Sequence, residues 1–157
     1  MGIEIERKFL VNETAWRQLK KSAGTWYKQG YILTDPQKTI RIRIAGHEAF
    51  ITIKGISEGF TRQEFEYAIP KKDAEVLLNN FTVSSVTKTR YKIIHEGKLW
   101  EVDEFEADNE GLLLAEIELE TEEETFTIPD WIGKEVTNDK RYYNSNLSLT
   151  PFKKWNH

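Results

Sequence analysis

The segment Thr39-Ile40-Arg41-Ile42-Arg43-Ile44 alternates without a break. Successive side chains of a β-strand point to opposite faces, so its isoleucines share one face and its arginines the other. The same period of two returns along most of the chain. Glu4, Glu6 and Lys8 lie opposite Ile3, Ile5 and Phe9; Thr52 and Lys54 lie opposite Ile51 and Ile53. Arg62, Glu64 and Glu66 alternate with Gln63, Phe65 and Tyr67, while Lys88, Arg90 and Lys92 stand opposite Tyr91 and Ile93. Glu101, Asp103 and Phe105 oppose Trp100 and Val102, and Glu116, Glu118 and Glu120 oppose Ala115, Ile117 and Leu119. A sheet with one face in water presents mixed Thr, Ser and Gln there. Here the second face is almost wholly ionisable. If the strands close with that face inward, the aliphatic face lies outside and must be covered by helices. The expected fold is therefore α+β: an antiparallel β-barrel with a charged interior and a few short helices outside.

The remaining elements fit that scheme. Asn12 or Thr14 caps a short helix carrying Trp16 and Leu19 and ending near Ser22-Ala23-Gly24. Asp35-Pro36, Gly46-His47 and Glu96-Gly97 are turn signals, and Pro70 opens a helix over Lys71 to Asn79 with a modest apolar stripe. The C-terminal part is less regular. Pro129-Asp130-Trp131 reads as a turn or short helix, and Thr137-Asn138-Asp139 as the cap of a helix through Tyr143 or Leu147.

Burying so many charges costs on the order of several kcal/mol per unpaired ion, so mutual pairing alone is a poor reason to keep them. A polyanion with a divalent cation supplies the missing partners. Basic residues at several levels grip successive phosphates and carboxylates hold the metal. There is no cysteine among the 157 residues, which excludes disulfides and thiolate sites and leaves oxygen or imidazole ligands. His47 and His95 sit beside turns and His157 is the last residue, so ligand roles for them are not expected. The formal net charge of −4 and the mingling of basic residues with carboxylates argue against nucleic acid as a partner. No apolar run approaches a membrane span and the first residues are no basic leader, so the reading is a cytoplasmic protein of one domain, residues 1–157, with no membrane partner.

The ordered set Glu4-Ile5-Glu6-Arg7-Lys8, Arg41-Ile42-Arg43, Thr52-Ile53-Lys54, Glu64-Phe65-Glu66, Lys88-Thr89-Arg90-Tyr91, Val102-Asp103, Glu116-Ile117-Glu118 and Glu135-Val136-Thr137 with Arg141-Tyr142 resembles the CYTH superfamily, the triphosphate tunnel metalloenzymes. The resemblance covers essentially the whole chain. It implies an eight-stranded antiparallel tunnel that binds a triphosphate end-on and cleaves a phosphoanhydride with Mg²⁺ or Mn²⁺. By this resemblance Glu4, Glu6 and Glu118 hold the metal that orients the triphosphate, and Glu116, with a second metal, positions the attacking water. Lys8, Arg41, Arg43, Lys54, Lys88 and Arg90 grip phosphate. Asp103, Glu64 and Glu66 serve as second-site ligands or supports. Arg141, or Lys134 in its place, adds a phosphate contact from a C-terminal helix that plugs one mouth.

The substrate expected is a small-molecule triphosphate, first inorganic tripolyphosphate, because the short chain shows no obvious added pocket for a base or thiazolium ring. Class IV adenylyl cyclase, thiamine triphosphatase and a non-catalytic polyphosphate or nucleotide binder are the alternatives. Trp26, Tyr27 and Tyr31 are the aromatics available for stacking, though rim packing explains them more simply. Members of the family often pair, so a homodimer is possible.

Overall fold

In the computed structural model residues 2–35 and 37–155 are described. Met1, Pro36, Asn156 and His157 lie outside the described residues, and with them the proline of the expected turn and the terminal histidine. Nine strands form one antiparallel sheet: β1 (Gly2–Val11), β2 (Thr25–Leu33), β3 (Lys38–Ala45), β4 (Glu48–Gly55), β5 (Thr61–Ala68), β6 (Ser84–His95), β7 (Lys98–Phe105), β8 (Leu113–Glu118) and β9 (Ile132–Glu135). Eight of them run in the order β5-β4-β3-β2-β6-β7-β8-β1, and a β1–β5 pairing closes the ring. The closed antiparallel barrel expected from the alternation, with the eight strands that the resemblance implies, is therefore the fold observed. The first strand makes the closure by pairing Glu4 with Arg62 of β5 and Glu6 with Glu118 of β8, then takes β9 at Phe9 opposite Glu135.

The aliphatic face lies outside and is covered in two places. The helix α1 (Glu13–Gln18), capped by the Asn12 side chain, buries Trp16 against Trp131, Trp100, Phe9, Ala115 and Ile117. The ring centroids of Trp16 and Trp131 are 5.4 Å apart and those of Trp100 and Trp131 5.9 Å, in the tilted and edge-on geometry that aromatic quadrupoles favour. Around the other side, α2 (Lys71–Asn80) lays Ala74 and Leu78 over Ile42, Ile44 and Ala49. A Cβ on Gly30 of β2 would stand 2.8 Å from the Leu78 side chain and 2.9 Å from that of Thr82. A Gly30→Ala variant is therefore expected to lose about 1–3 kcal/mol through overpacking. Urea unfolding checks it, and unchanged stability would mean that α2 shifts freely.

The charged interior occupies one end of the barrel only. On four strands the inward series turns apolar toward one end: Lys8 is followed by Leu10, Lys88 preceded by Val86, Asp103 followed by Phe105 and Glu116 preceded by Leu114. Together with Leu112, Val136, Tyr142 and Leu147 these side chains form a core inside the barrel. The C-terminal segment shuts this end, but not as one helix from Asp139. The Asp139 side chain caps a single 3-10 turn, Lys140–Tyr142, and α3 (Asn144–Leu149) starts afresh after Tyr143. The 129–135 stretch is a turn at Pro129 followed by β9 rather than a helix. Among the described residues no helix is long and apolar enough to cross a membrane.

Candidate active site

The open end of the barrel holds a cavity of about 480 Å³, lined by seven basic and eight acidic side chains. Strand pairing sorts them. Across β3, β4, β5 and β1 the register sets Arg41 beside Thr52 and Thr52 beside Glu66, Lys54 beside Glu64, and Arg62 beside Glu4. The Arg41 guanidinium donates to Thr52 Oγ1 at 3.1 Å, and the Thr52 hydroxyl donates to Glu66 at 3.0 Å. The Lys54 ammonium is 3.1 Å from both Glu4 and Glu64, and Arg62 is 3.6 Å from Glu4. Across β1, β8, β7 and β6 the partners are Lys8 with Glu116, Glu116 with Glu101, and Asp103 with Arg90.

These neighbours set the charges. Burial pulls the Glu4 carboxyl upward, but Lys54, a hydrogen bond from Glu64 and Arg62 outweigh it and bring it down to about 2. Glu6 is pushed well above the carboxylate range by burial and by Glu116 and Glu4. Burial likewise opposes ionisation of Glu116, yet Lys8, a hydrogen bond from Glu6 and Arg90 hold it well below its ordinary value. Burial and the nearby Glu4 and Glu101 raise Glu118. Arg43 differs from the other grips. Its Nε donates to Gln29 at 3.0 Å, but among the described residues no carboxylate reaches it, and burial with the repulsion of Arg41 and Arg90 lowers it to about 10.

Most residues expected in the site are brought together: Glu4, Glu6, Lys8, Arg41, Arg43, Lys54, Glu64, Glu66, Arg90, Glu116 and Glu118 all line the cavity. Lys88 and Asp103 lie beneath its lining, fully enclosed. The Asp103 carboxylate accepts from Lys88 at 2.7 Å and from Arg90 at 2.7 and 2.9 Å. Of the two roles left open for it, support of basic residues is the one its contacts fit, and its lone pairs are committed to two cations rather than to a metal. Arg141 is exposed, engaged with Asp139 at 2.7 Å and absent from the cavity, while Lys134 lines a separate shallow depression. The C-terminal contacts come from the next residues instead. The Lys8 ammonium donates to the Tyr142 carbonyl at 3.1 Å and Lys88 to Asn144 Oδ1 at 3.0 Å. The Tyr143 ring lies 5.5 Å from Lys8 and 5.7 Å from Arg62. Glu120 falls beyond β8 and outside the cavity.

Arg62, Tyr143 and Asn144 line the cavity and Thr52 and Gln29 lie buried behind its wall, none with a role expected from sequence, while Tyr27 and Tyr31 on the inward row of β2 are expected only as stacking or rim-packing aromatics. The β2 row does alternate, but its polar members carry no charge.

The donor set is all carboxylate oxygen, which fits a hard divalent cation. Two carboxyl pairs, Glu6 with Glu116 and Glu4 with Glu64, lie close enough to push one member of each upward, an arrangement that a cation would relieve. No three described acidic or histidine side chains converge tightly enough to hold an ion in this conformation. The chemistry of the donors thus fits, and closure around an ion requires side-chain movement.

The comparisons with known proteins agree with this geometry. The family model described as the CYTH domain matches residues 2–151. The inorganic triphosphatase of Acetivibrio thermocellus is 49% identical over 154 residues, covering 98% of this chain and 97% of that protein. The inorganic triphosphatase of Nitrosomonas europaea is 39% identical over 152 residues, covering 94% and 97%. A crystal structure of an inorganic triphosphatase superposes with a TM-score of 0.64 at 36% identity, covering 93% of this chain and 94% of that one. A closed barrel with its ionisable face inward, matched along its length to such relatives, makes this chain a member of the CYTH domain family.

Proposed function

We propose that this protein is a metal-dependent inorganic triphosphatase, which binds tripolyphosphate in the barrel and hydrolyses it to pyrophosphate and orthophosphate. The observation that carries the proposal is Arg43, a half-buried guanidinium that no carboxylate reaches among the described residues, beside Arg41 and Arg90. Such a charge is costly unless an anion joins it, and the open end of the cavity is where an anion enters. The names of the relatives support the same reading.

In this reading Arg41, Arg43, Lys54 and Lys8 take up the charge of the phosphate oxygens, a role in which positioned cations account for most of the acceleration of phosphoryl transfer. Glu116, held ionised by Lys8 and Arg90, orients the attacking water by accepting its hydrogen bond. Asp103, itself bound by Lys88, holds Arg90 in place. When bound, Mg²⁺ or Mn²⁺ on Glu4, Glu6 and Glu118 neutralises phosphate charge and lowers the pKa of coordinated water.

Incubation with tripolyphosphate, ATP and thiamine triphosphate, with Mg²⁺ or Mn²⁺, tests the proposal. Equimolar orthophosphate and pyrophosphate from tripolyphosphate, abolished by EDTA, is the expected result. Cyclic AMP from ATP, or no turnover of tripolyphosphate, would overturn it.

A further inference from the structure

Tyr27 stands at the centre of the basic side of the cavity. Its ring is buried among inward-facing neighbours, with Arg43 of β3 and Arg90 of β6 each placing the guanidinium carbon 5.0 Å from its centroid. These two cations repel one another, and that repulsion contributes to lowering Arg43. Arg90 is answered by Asp103, Glu101 and Glu116. Arg43 has only the amide oxygen of Gln29, whose own amide nitrogen donates to the Tyr31 hydroxyl at 2.9 Å. The electron-rich ring face is thus the one attractive element that both guanidiniums share, and cation–π attraction strengthens where water is excluded. Among the described residues the Tyr27 hydroxyl makes no hydrogen bond and draws Arg43 only through its charge, so the ring is the contact that both arginines share.

We infer that Tyr27 is a positioning residue, whose ring holds Arg43 and Arg90 side by side against their repulsion so that the arginine clamp is formed before the triphosphate arrives. The inference rests on the triphosphate reading of the cavity. Without the ring, only the Gln29 amide restrains Arg43 from swinging away from Arg90, and bringing the pair back together is charged against binding. The loss falls on affinity, because once triphosphate is bound its own negative charge holds the arginines.

Three variants separate the ring face from the hydroxyl and from simple packing. Tyr27→Phe keeps the ring, Tyr27→pentafluorophenylalanine keeps its shape but reverses the charge of its face, and Tyr27→Leu removes it. Each is titrated calorimetrically with tripolyphosphate in metal-free buffer and assayed for KM and kcat with Mg²⁺, thermal melting confirming the fold. Tyr27→Phe is expected to match the wild type within about twofold. The fluorinated variant, and Tyr27→Leu where it folds, are expected to bind about tenfold more weakly, with KM raised in proportion and kcat within about threefold. Fluorinated protein that binds as tightly as Tyr27→Phe would overturn the inference, as would a tenfold loss in Tyr27→Phe itself, which would assign the role to the hydroxyl. Failure of the wild type to bind tripolyphosphate would overturn the triphosphate reading and the inference together, a result distinct from either of these.

Discussion

At pH 8 a Glu6→Gln variant is expected to melt higher than the wild type, by about 2–8 °C, while losing roughly two orders of magnitude or more of metal-dependent turnover. The two effects have one origin. Burial, Glu116 and Glu4 push the Glu6 carboxyl well above its ordinary value. A carboxyl raised in the folded state binds its proton there after the unfolded chain has released it, so stability falls as pH rises from the unfolded value, near 4, through the folded one. That cost grows as pH rises toward 8, and glutamine of the same shape does not incur it. Below about pH 4 both states of the wild type keep the proton and the two proteins should melt together. Glutamine also offers a metal one weak neutral oxygen in place of a carboxylate. Melting curves from pH 4 to 8 with parallel assays decide the matter. A variant that melts lower than wild type at pH 8 would mean that Glu6 is satisfied by a cation, and undiminished turnover would remove it from the metal ligands.

The other large effect is expected at Asp103. Its carboxylate is fully enclosed between Lys88 and Arg90. Replacing it with alanine leaves two buried cations facing one another, and removing one partner of such a group costs about 3–5 kcal/mol, or a melting point lower by roughly 10 °C. Burial alone would raise this carboxyl, but Arg90 and Lys88 hold it at about 2. Because the folded value is depressed, the contribution is complete above the unfolded value near 4 and is lost as pH falls from there toward 2. The gap between wild type and Asp103→Ala in urea unfolding should therefore narrow over that range. Burial, opposed by Asp103 and reinforced by Arg90 and Arg43, already brings Lys88 down to about 7. Adding Lys88→Met to Asp103→Ala removes one uncompensated cation and is expected to restore part of the loss. A double variant no more stable than the single one would contradict this account, as would a single variant within about 1 kcal/mol of wild type.

The barrel and the inward direction of its charges could be read from the chain because period-two alternation is a local property. Arg41 and Ile42 declare their faces without knowing their neighbours. What alternation cannot tell is where an inward series stops being cavity and becomes core. Phe105 follows Asp103 on the same face, and Leu10 follows Lys8, but only the packing of Val86, Phe105, Leu114 and Leu10 into one cluster shows where the core begins. Arg141 was misplaced for a related reason. In a continuous helix from Asp139 its direction would be regular, whereas the 3-10 turn and restart at Tyr143 turn it outward and send Tyr142, Tyr143 and Asn144 to the lysines. Tyr27 was legible only as a stacking aromatic or rim packing, and Gln29 not at all, because uncharged side chains on an inward row look like ordinary packing until two guanidiniums are seen over the ring.

The pairing of β1 bears on how the chain reaches this fold. That strand is bound to β5 through Glu4 and Arg62, to β8 through Glu6 and Glu118, and to β9 through Phe9 and Glu135. The stretch carrying Glu4, Glu6 and Lys8 therefore has no stable seat until residues more than a hundred positions downstream have been made and have found it. Loops of that length must close before their contacts reward them, which places such a barrel among slow folders. Until then the segment's four charged side chains keep it hydrated, so the residues that later face the substrate also keep the waiting strand in water and away from premature partners.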